Sequence, residues 1–238
     1  MVAPEAPGAD RRRPQKSRIT YPVRAALSAW LQAEAKRAHA DFGRYRVLDV
    51  GCGIKPYAPF FDPYVESYVG VDIGNPAADL EGTAEALPVE DGSFDLVLST
   101  QVLEHVEDPY RAVREFHRVT SRGGRVLAST HGVQVYHPSP ADYWRWTHTG
   151  LELMFERSAD WEAVSVRPVG GAATCVAATT AVYVDLLFRK AHLTPLAHAS
   201  VWTLNSLGAL VDRAVPSLRE PIPGSIHLNF HVVADKPK

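Results

Sequence analysis

The 238-residue sequence has little of what would commit it early to a class. It has two cysteines, Cys52 and Cys175, too few for a disulfide framework or a cysteine zinc set. Charge of one sign is not in excess. The formal net charge is -2, so no global field draws nucleic acid or an anionic membrane, and no nucleic-acid partner is expected. The start shows no apolar h-region of the kind a secretory signal carries. Long hydrophobic runs are missing too: Asp185, Arg189 and Lys190 interrupt the best candidate, so no integral membrane span is expected. A cytoplasmic location follows by default. No internal repeat is visible. What remains is an ordinary globular balance, 46% hydrophobic and 22% charged, which suits one α/β domain with room for an insertion.

Only the N-terminus is locally basic, at Arg11-Arg12-Arg13-Pro14-Gln15-Lys16-Ser17-Arg18. The stretch follows Pro4, Pro7 and Gly8 and lacks apolar residues. Residues 1–18 read as a solvated, disordered tail, with a nucleic-acid or lipid contact as the alternative. Residues 19–238 read as the folded domain.

Residues 22–41 have helical composition, with Pro22 near the first turn and Gly43 as the stop. Arg46–Val50 reads as a buried strand ending at Gly51-Cys52-Gly53. Tyr68–Asp72 and Phe94–Ser99 are two further strands, the latter introduced by the turn Glu90-Asp91-Gly92-Ser93. Pro109 opens a helix over 109–120, with Val113, Phe116 and Val119 on one face. Gly123-Gly124 turns the chain into a strand at 125–130. Residues 149–157 look helical, with Thr149 as N-cap and Glu152 at the capping-box position. Residues 161–167 and 226–234 are β-rich. This alternation predicts a mainly parallel sheet with helices on both faces.

Two places depart from that pattern. Pro56 and Pro59 sit where the helix after the first strand should run, so that helix is short or displaced. Asp72 and Asp79 are too close for a right-handed crossover, so the strand near Asp79–Glu81 is short or irregular.

The first strand and its turn carry the chemistry. Glycines after a buried strand let the backbone approach a ligand at the carboxyl end of the sheet. Asp49, just before them, suits a cationic group such as an ammonium. Asp72 ends the next strand, the place for a carboxylate that accepts from ribose hydroxyls. A glycine turn and a downstream acid are equally a dinucleotide signal. That fingerprint wants a glycine where this chain has Pro56, which also removes a backbone donor a pyrophosphate would use.

Val47-Leu48-Asp49-Val50-Gly51-Cys52-Gly53 resembles motif I of class I S-adenosylmethionine-dependent methyltransferases, and Val69–Asp72 the acidic strand end that follows it. Thr83–Pro88, Asp91–Val97, Val102–Val106 with Asp108-Pro109, and Glu115 to Gly124 resemble the UbiE-like (Methyltransf_11-type) subgroup, in order and spacing, over residues 46–131. The resemblance implies an α/β, Rossmann-like fold. Its sheet would be seven-stranded and mainly parallel, with a degenerate crossover between the second and third strands and a helical insertion at about 175–218, before the last strand. It implies S-adenosyl-L-methionine as cofactor. Asp49, Gly51, Cys52 and Gly53 would line its methionine end and Asp72 would hold the ribose. Thr83 and Ala84 would border the adenine, and Thr100 and Gln101 would lie beside the sulfonium. Two positions depart from the family pattern: Lys55 stands at the usual third glycine, and Thr83 replaces the acid before Ala84.

Residues Tyr136 to Thr147 resemble the "HxxPxDYxRxT" segment of one branch of these enzymes. Tyr143, Trp144, Arg145 and Trp146 are candidate walls for an acceptor, or a structural cap in which Asp142 pairs with Arg145. Methyl transfer needs a general base only when the acceptor carries a proton. His105, His131 and His137 are the candidates, near the carboxyl edge of the sheet. No carboxylate cluster with metal spacing is evident, so no metal is expected. The helices expected at 177–189 and 196–215 read as a subdomain packed on the core, or else as a dimer face, an acceptor lid or a peripheral membrane contact. The expected function is methyl transfer to a small-molecule acceptor (a secondary metabolite, a sugar or a lipid-linked compound) by a monomer or homodimer. A non-catalytic cofactor-binding module and a nicotinamide-dependent oxidoreductase are the alternatives.

Overall fold

The computed structural model describes residues 6–138 and 141–238, so Ser139 and Pro140 in the aromatic segment lie outside the described residues. In chain order the elements are α1 (Ala9–Arg12), α2 (Tyr21–Phe42), β1 (Tyr45–Val50), α3 (Ala58–Phe61), β2 (Val65–Asp72), β3 (Leu80–Glu81) and β4 (Phe94–Thr100). There follow α4 (Pro109–Val119), β5 (Thr120–His131), α5 (His148–Ser158), β6 (Ala163–Val169), α6 (Ala172–Lys190), α7 (Thr194–Ala214), a 3-10 turn (Pro216–Arg219) and β7 (Asn229–Asp235). They form one seven-stranded sheet in the order β3-β2-β1-β4-β5-β7-β6. β7 is antiparallel to both β5 and β6; the other pairings are parallel.

The apolar runs of β1 and β4 are continuous because both faces of the sheet are covered. On one face, Leu27, Leu31, Ala35 and Ala38 of α2 pack against Val47, Leu96, Leu98 and Leu127. On the other, Val113 and Phe116 of α4 and Leu151, Met154 and Phe155 of α5 pack against Leu48, Val97, Val126 and Val232. Asp108 caps α4 by accepting from Arg111 N, with Pro109 in the first turn. The cap of α5 is Thr147, not Thr149: Thr147 keeps extended backbone and its Oγ1 accepts from Gly150 N at 3.1 Å. After β1 the chain makes only the one-turn α3, as Pro56 and Pro59 require. β2 and the two-residue β3 are joined by residues 73–79 without a helix, and Asp79 N returns to Gly70 O at 2.9 Å.

The helical insertion runs from α6 through the 3-10 turn, between β6 and β7. α6 and α7 pack side by side. Gly208 on α7 is needed there, since a Cβ would come 2.9 Å from the Cβ of Ala177 and 3.0 Å from the Cα of Thr174. Asp212 of α7 caps α6 by accepting from Gly171 N, Ala173 N and Thr174 N at 2.8–3.1 Å. Cys175 and Ala178 dock the pair on Leu228 and Val23. The outer faces leave Leu187, Trp202, Leu207 and Leu210 exposed.

Among the described residues α6 is the one helix long and apolar enough to cross a membrane by length and composition, at mean hydropathy 1.3. It carries the buried Asp185, which accepts from Arg189 at 2.6 Å, and packs along α7. One sequence expectation needs correction. The basic N-terminal stretch is not a loose tail where it is described. Arg12 donates to Pro56 O, Ser28 donates to Arg12 O at 2.7 Å, and Asn205 of α7 donates to Lys16 O and Arg18 O at 2.8 and 3.1 Å. These partners are 16 to 189 residues away, beyond the reach of local composition.

Candidate active site

The turn after β1 is held open by its own conformation. Gly51 and Gly53 have φ of 68° and 54°, and a Cβ on Gly51 would lie 2.4 Å from Val102. Around Gly53 the equivalent space is open. Lys55 adopts φ 51° although it is not glycine. Its Nζ pairs with Asp79 at 2.6 Å, and the same Asp79 oxygen accepts from Gly70 N at 2.7 Å. The departure at Lys55 therefore keeps the glycine conformation and adds a clamp to β2. Cys52 turns inward: its Sγ lies against Gly70, and burial pushes the thiol up to about 12. Its backbone belongs to the turn, but its side chain is core.

Asp49 sits beneath this turn, 3% exposed. Tyr68 donates to its Oδ2 at 2.7 Å, while its Oδ1 is buried without a partner. Burial pushes its carboxyl up to about 7, against the Tyr68 hydrogen bond. An orphaned buried carboxylate oxygen at a glycine turn fits an incoming ammonium. Asp72 closes the turn from β2 by accepting from Gly53 N at 2.8 Å and Asn75 Nδ2 at 2.9 Å. Gly82 N donates to Asp72 O, which brings Thr83 and Ala84 alongside. Thr83 pairs with Ala86 in a tight bridge.

The carboxyl ends of β4 and β5 form the opposite side. Gln101 has φ 58° and is locked in place: it donates to Ser129 Oγ at 2.9 Å and accepts from Asn229 at 2.9 Å. His131, at the end of β5, has its ring centre 4.9 Å from that of His137 and 6.4 Å from that of His105. Behind it lies Glu104, fully buried, with Oε1 3.1 Å from His131 Nε2 and Oε2 accepting from Thr130 at 2.8 Å. Burial pushes Glu104 up to about 7. Burial, then His137, Arg145 and His105, push His131 down to about 3. Both shifts favour the uncharged forms of the two groups. With Nε2 facing Glu104, His131 Nδ1 is left buried and unpartnered. Glu104 was legible only as part of a family landmark, and nothing in the sequence marked it as a partner for His131.

One cavity of about 510 Å³ joins these parts. Gly51, Thr100, Gln101, His131 and His137 line it, together with Arg11, Tyr57 and residues of α6. Asp49 lies beneath the turn, and Asp72, Thr83 and Ala84 flank it without lining the cavity. His105 is also off the wall, with Nδ1 bonded to Ala141 O. Tyr143, Trp144, Arg145 and Trp146 are not among the residues that line this cavity, and their contacts match the structural alternative. Trp144 donates to Val106 O at 2.8 Å and stacks on Trp146, which packs on the core. Tyr143 reaches outward to Glu107. Arg145 grips Asp142 with two hydrogen bonds of 2.5 and 2.7 Å, holding that carboxyl well below its usual range. His131, His137 and Asp142 each bring a ligand atom within 4.8 Å of the others, a grouping the sequence did not suggest. Asp142 is already committed to Arg145, which competes with any cation there.

A family model described as a methyltransferase domain matches residues 48–128. That match falls on the stretch whose motifs resemble the UbiE-like type of class I methyltransferase. An uncharacterized methyltransferase, YcgJ of Bacillus subtilis, is 35% identical over 103 residues, 37% of this chain and 41% of that protein. One from Mycobacterium sp. (strain KMS) is 40% identical over 98 residues, covering 37% of this chain and 39% of that one. The match thus spans about two fifths of these curated relatives. The crystal structure of YcgJ superposes with a TM-score of 0.51 at 22% identity, covering 87% of this chain and 98% of that one. Phosphoethanolamine N-methyltransferase 2 of Haemonchus contortus, in complex with S-adenosyl-L-methionine, superposes at 0.56 and 16% identity, over all of this chain and 61% of that one. These likenesses establish the fold of the methyltransferase domain, mixed sheet and helical layers included.

Proposed function

We propose that the protein transfers a methyl group from S-adenosyl-L-methionine to a small-molecule acceptor held in the cavity between the Gly51 turn and the His131–His137 edge. The observation that carries this is the shared wall: the glycine turn and the histidines line one cavity. The cofactor supplies an already activated methyl on a sulfonium. The chain's own residues bind, align and exclude water, and alignment alone is worth about 7–11 kcal/mol. Asp49 Oδ1 takes the ammonium, Asp72 the ribose hydroxyls, and Thr83 and Ala84 border the adenine. Thr100 and Gln101 face the sulfonium, and the rigid pairing of Gln101 to Ser129 and Asn229 fixes that side.

For a hydroxyl or ammonium acceptor, the proton leaves to the histidine edge. His131, neutral and backed by Glu104, is the base we favour; His137 is the solvent-facing member of the same wall. A positive charge gained by the imidazole is balanced by the Glu104 carboxyl, whose Oε1 lies 3.1 Å from Nε2. In Glu104→Gln this balance is lost: kcat falls by about 10²–10⁴-fold, while affinity for S-adenosylhomocysteine stays unchanged. An unaltered kcat removes Glu104 from the mechanism. The reaction itself is tested by incubating protein, a small-molecule extract and isotopically labelled cofactor, followed by mass spectrometry. A labelled methyl in a new product supports the proposal. Cofactor binding without turnover in any extract would favour the binding-module alternative.

A further inference from the structure

Of the eight residues of the basic N-terminal stretch, Arg11 alone combines a place on the cavity wall with the absence of any hydrogen bond or ion pair for its guanidinium among the described residues. Arg12 donates to Pro7 O and Pro56 O, and so ties the segment across the loop that follows the Gly51 turn. Gly8, at φ 77°, fits flush on Pro56, where a Cβ would lie 2.4 Å from the proline Cβ. The other arginine on the cavity wall, Arg24, is neutralised by Asp10 at 2.6 Å. The segment is thus built to hold Arg11 in place, half-buried beside Gly51 and Tyr57, with its charge unmatched.

From this we infer that Arg11 is a cofactor-binding residue that receives the α-carboxylate of the methionyl end, making residues 8–20 one wall of the cofactor site. The inference rests on the proposed cofactor. That end carries two opposite charges. Asp49 Oδ1, buried and unpartnered, takes the ammonium; a complementary cation is then needed a few ångströms away on the same side of the turn. A guanidinium meets a carboxylate through two parallel N–H···O bonds, stronger and more directional than an ammonium contact. The unmatched charge that is unfavourable in the free protein becomes a specificity element in the complex.

The test compares ligands that differ at that group. Calorimetric titrations use S-adenosylhomocysteine, its decarboxylated analogue, and 5′-methylthioadenosine, which lacks both charges. Arg11→Ala should weaken S-adenosylhomocysteine about ten- to a hundredfold, in line with a charge-assisted hydrogen bond. The decarboxylated analogue and methylthioadenosine should change less than about twofold, and Arg11→Lys should recover part of the loss. Equal loss across all three ligands, or none, overturns the role of Arg11 while leaving the cofactor assignment intact. Failure of the unaltered protein to bind S-adenosylhomocysteine overturns both. Among the described residues the Arg11 guanidinium makes no hydrogen bond or ion pair, and its N–H bond to Gly8 O is kept by alanine, so the variant's thermal midpoint should match that of the parent.

Discussion

Asp49 concentrates the chemistry of the turn into one carboxyl. Its pKa is raised to about 7 by burial, so it is mostly protonated at pH 6 and mostly ionised at pH 8. Only the ionised form attracts an ammonium. Affinity for S-adenosylhomocysteine should therefore rise about tenfold from pH 6 to pH 8, following the ionised fraction, and Asp49→Asn should abolish the dependence. Calorimetry at the two pH values checks this. The same shift makes the free protein lose stability as pH rises from the ordinary carboxylate range through 7, because the unfolded carboxyl ionises first. Lys55 gives a second prediction at this scale. Both Lys55→Ala and Lys55→Gly lose the Asp79 pair, but only glycine adopts φ 51° without strain. The glycine variant should be about 1 kcal/mol more stable than the alanine one in denaturant unfolding, the reverse of their usual order in regular structure. The acid, the glycines and the departure at Lys55 were all legible in the sequence, because a tight turn after a buried strand leaves few residue choices. That Lys55 retains the glycine conformation, and that Glu104 stands behind His131, depend on contacts of 24 and 27 residues' separation and could not be read from the turn alone.

Elements were easiest to read where one face or both are apolar. β1, β4 and α4 declare themselves through burial, and the short β3 follows from the spacing of Asp72 and Asp79. The aromatic segment before α5 was ambiguous for a physical reason: Trp and Tyr serve equally as ligand walls and as packing, and only tertiary partners decide. Here Trp144 and Trp146 are anchored to Val106 and the core, and Arg145 to Asp142. The α6–α7 pair carries its own prediction. Asp212 satisfies three backbone N–H groups at the start of α6 from a fully packed position. Asp212→Ala strands those donors and should cost about 1–3 kcal/mol in chemical denaturation, with Asp212→Asn in between. A variant as stable as the parent would show that α6 is held by its apolar contacts alone.

At the scale of the whole molecule, the candidate cavity is assembled from parts distant in sequence: the N-terminal segment, the carboxyl ends of β1, β4 and β5, and α6 of the insertion. The central part matches the family and was readable from its order of motifs. The walls were not, because a basic N-terminal stretch reads as solvated until the Pro56 and Asn205 contacts that fold it down are seen. The central claim is that the turn at Asp49–Gly53 binds an adenosyl amino acid and not a dinucleotide. Titration calorimetry of the protein against S-adenosylhomocysteine and NAD decides it. The account predicts one S-adenosylhomocysteine per chain, weakened by about 1.5–3 kcal/mol in Asp72→Ala, and no heat with NAD. Saturable NAD binding with none for S-adenosylhomocysteine would contradict it.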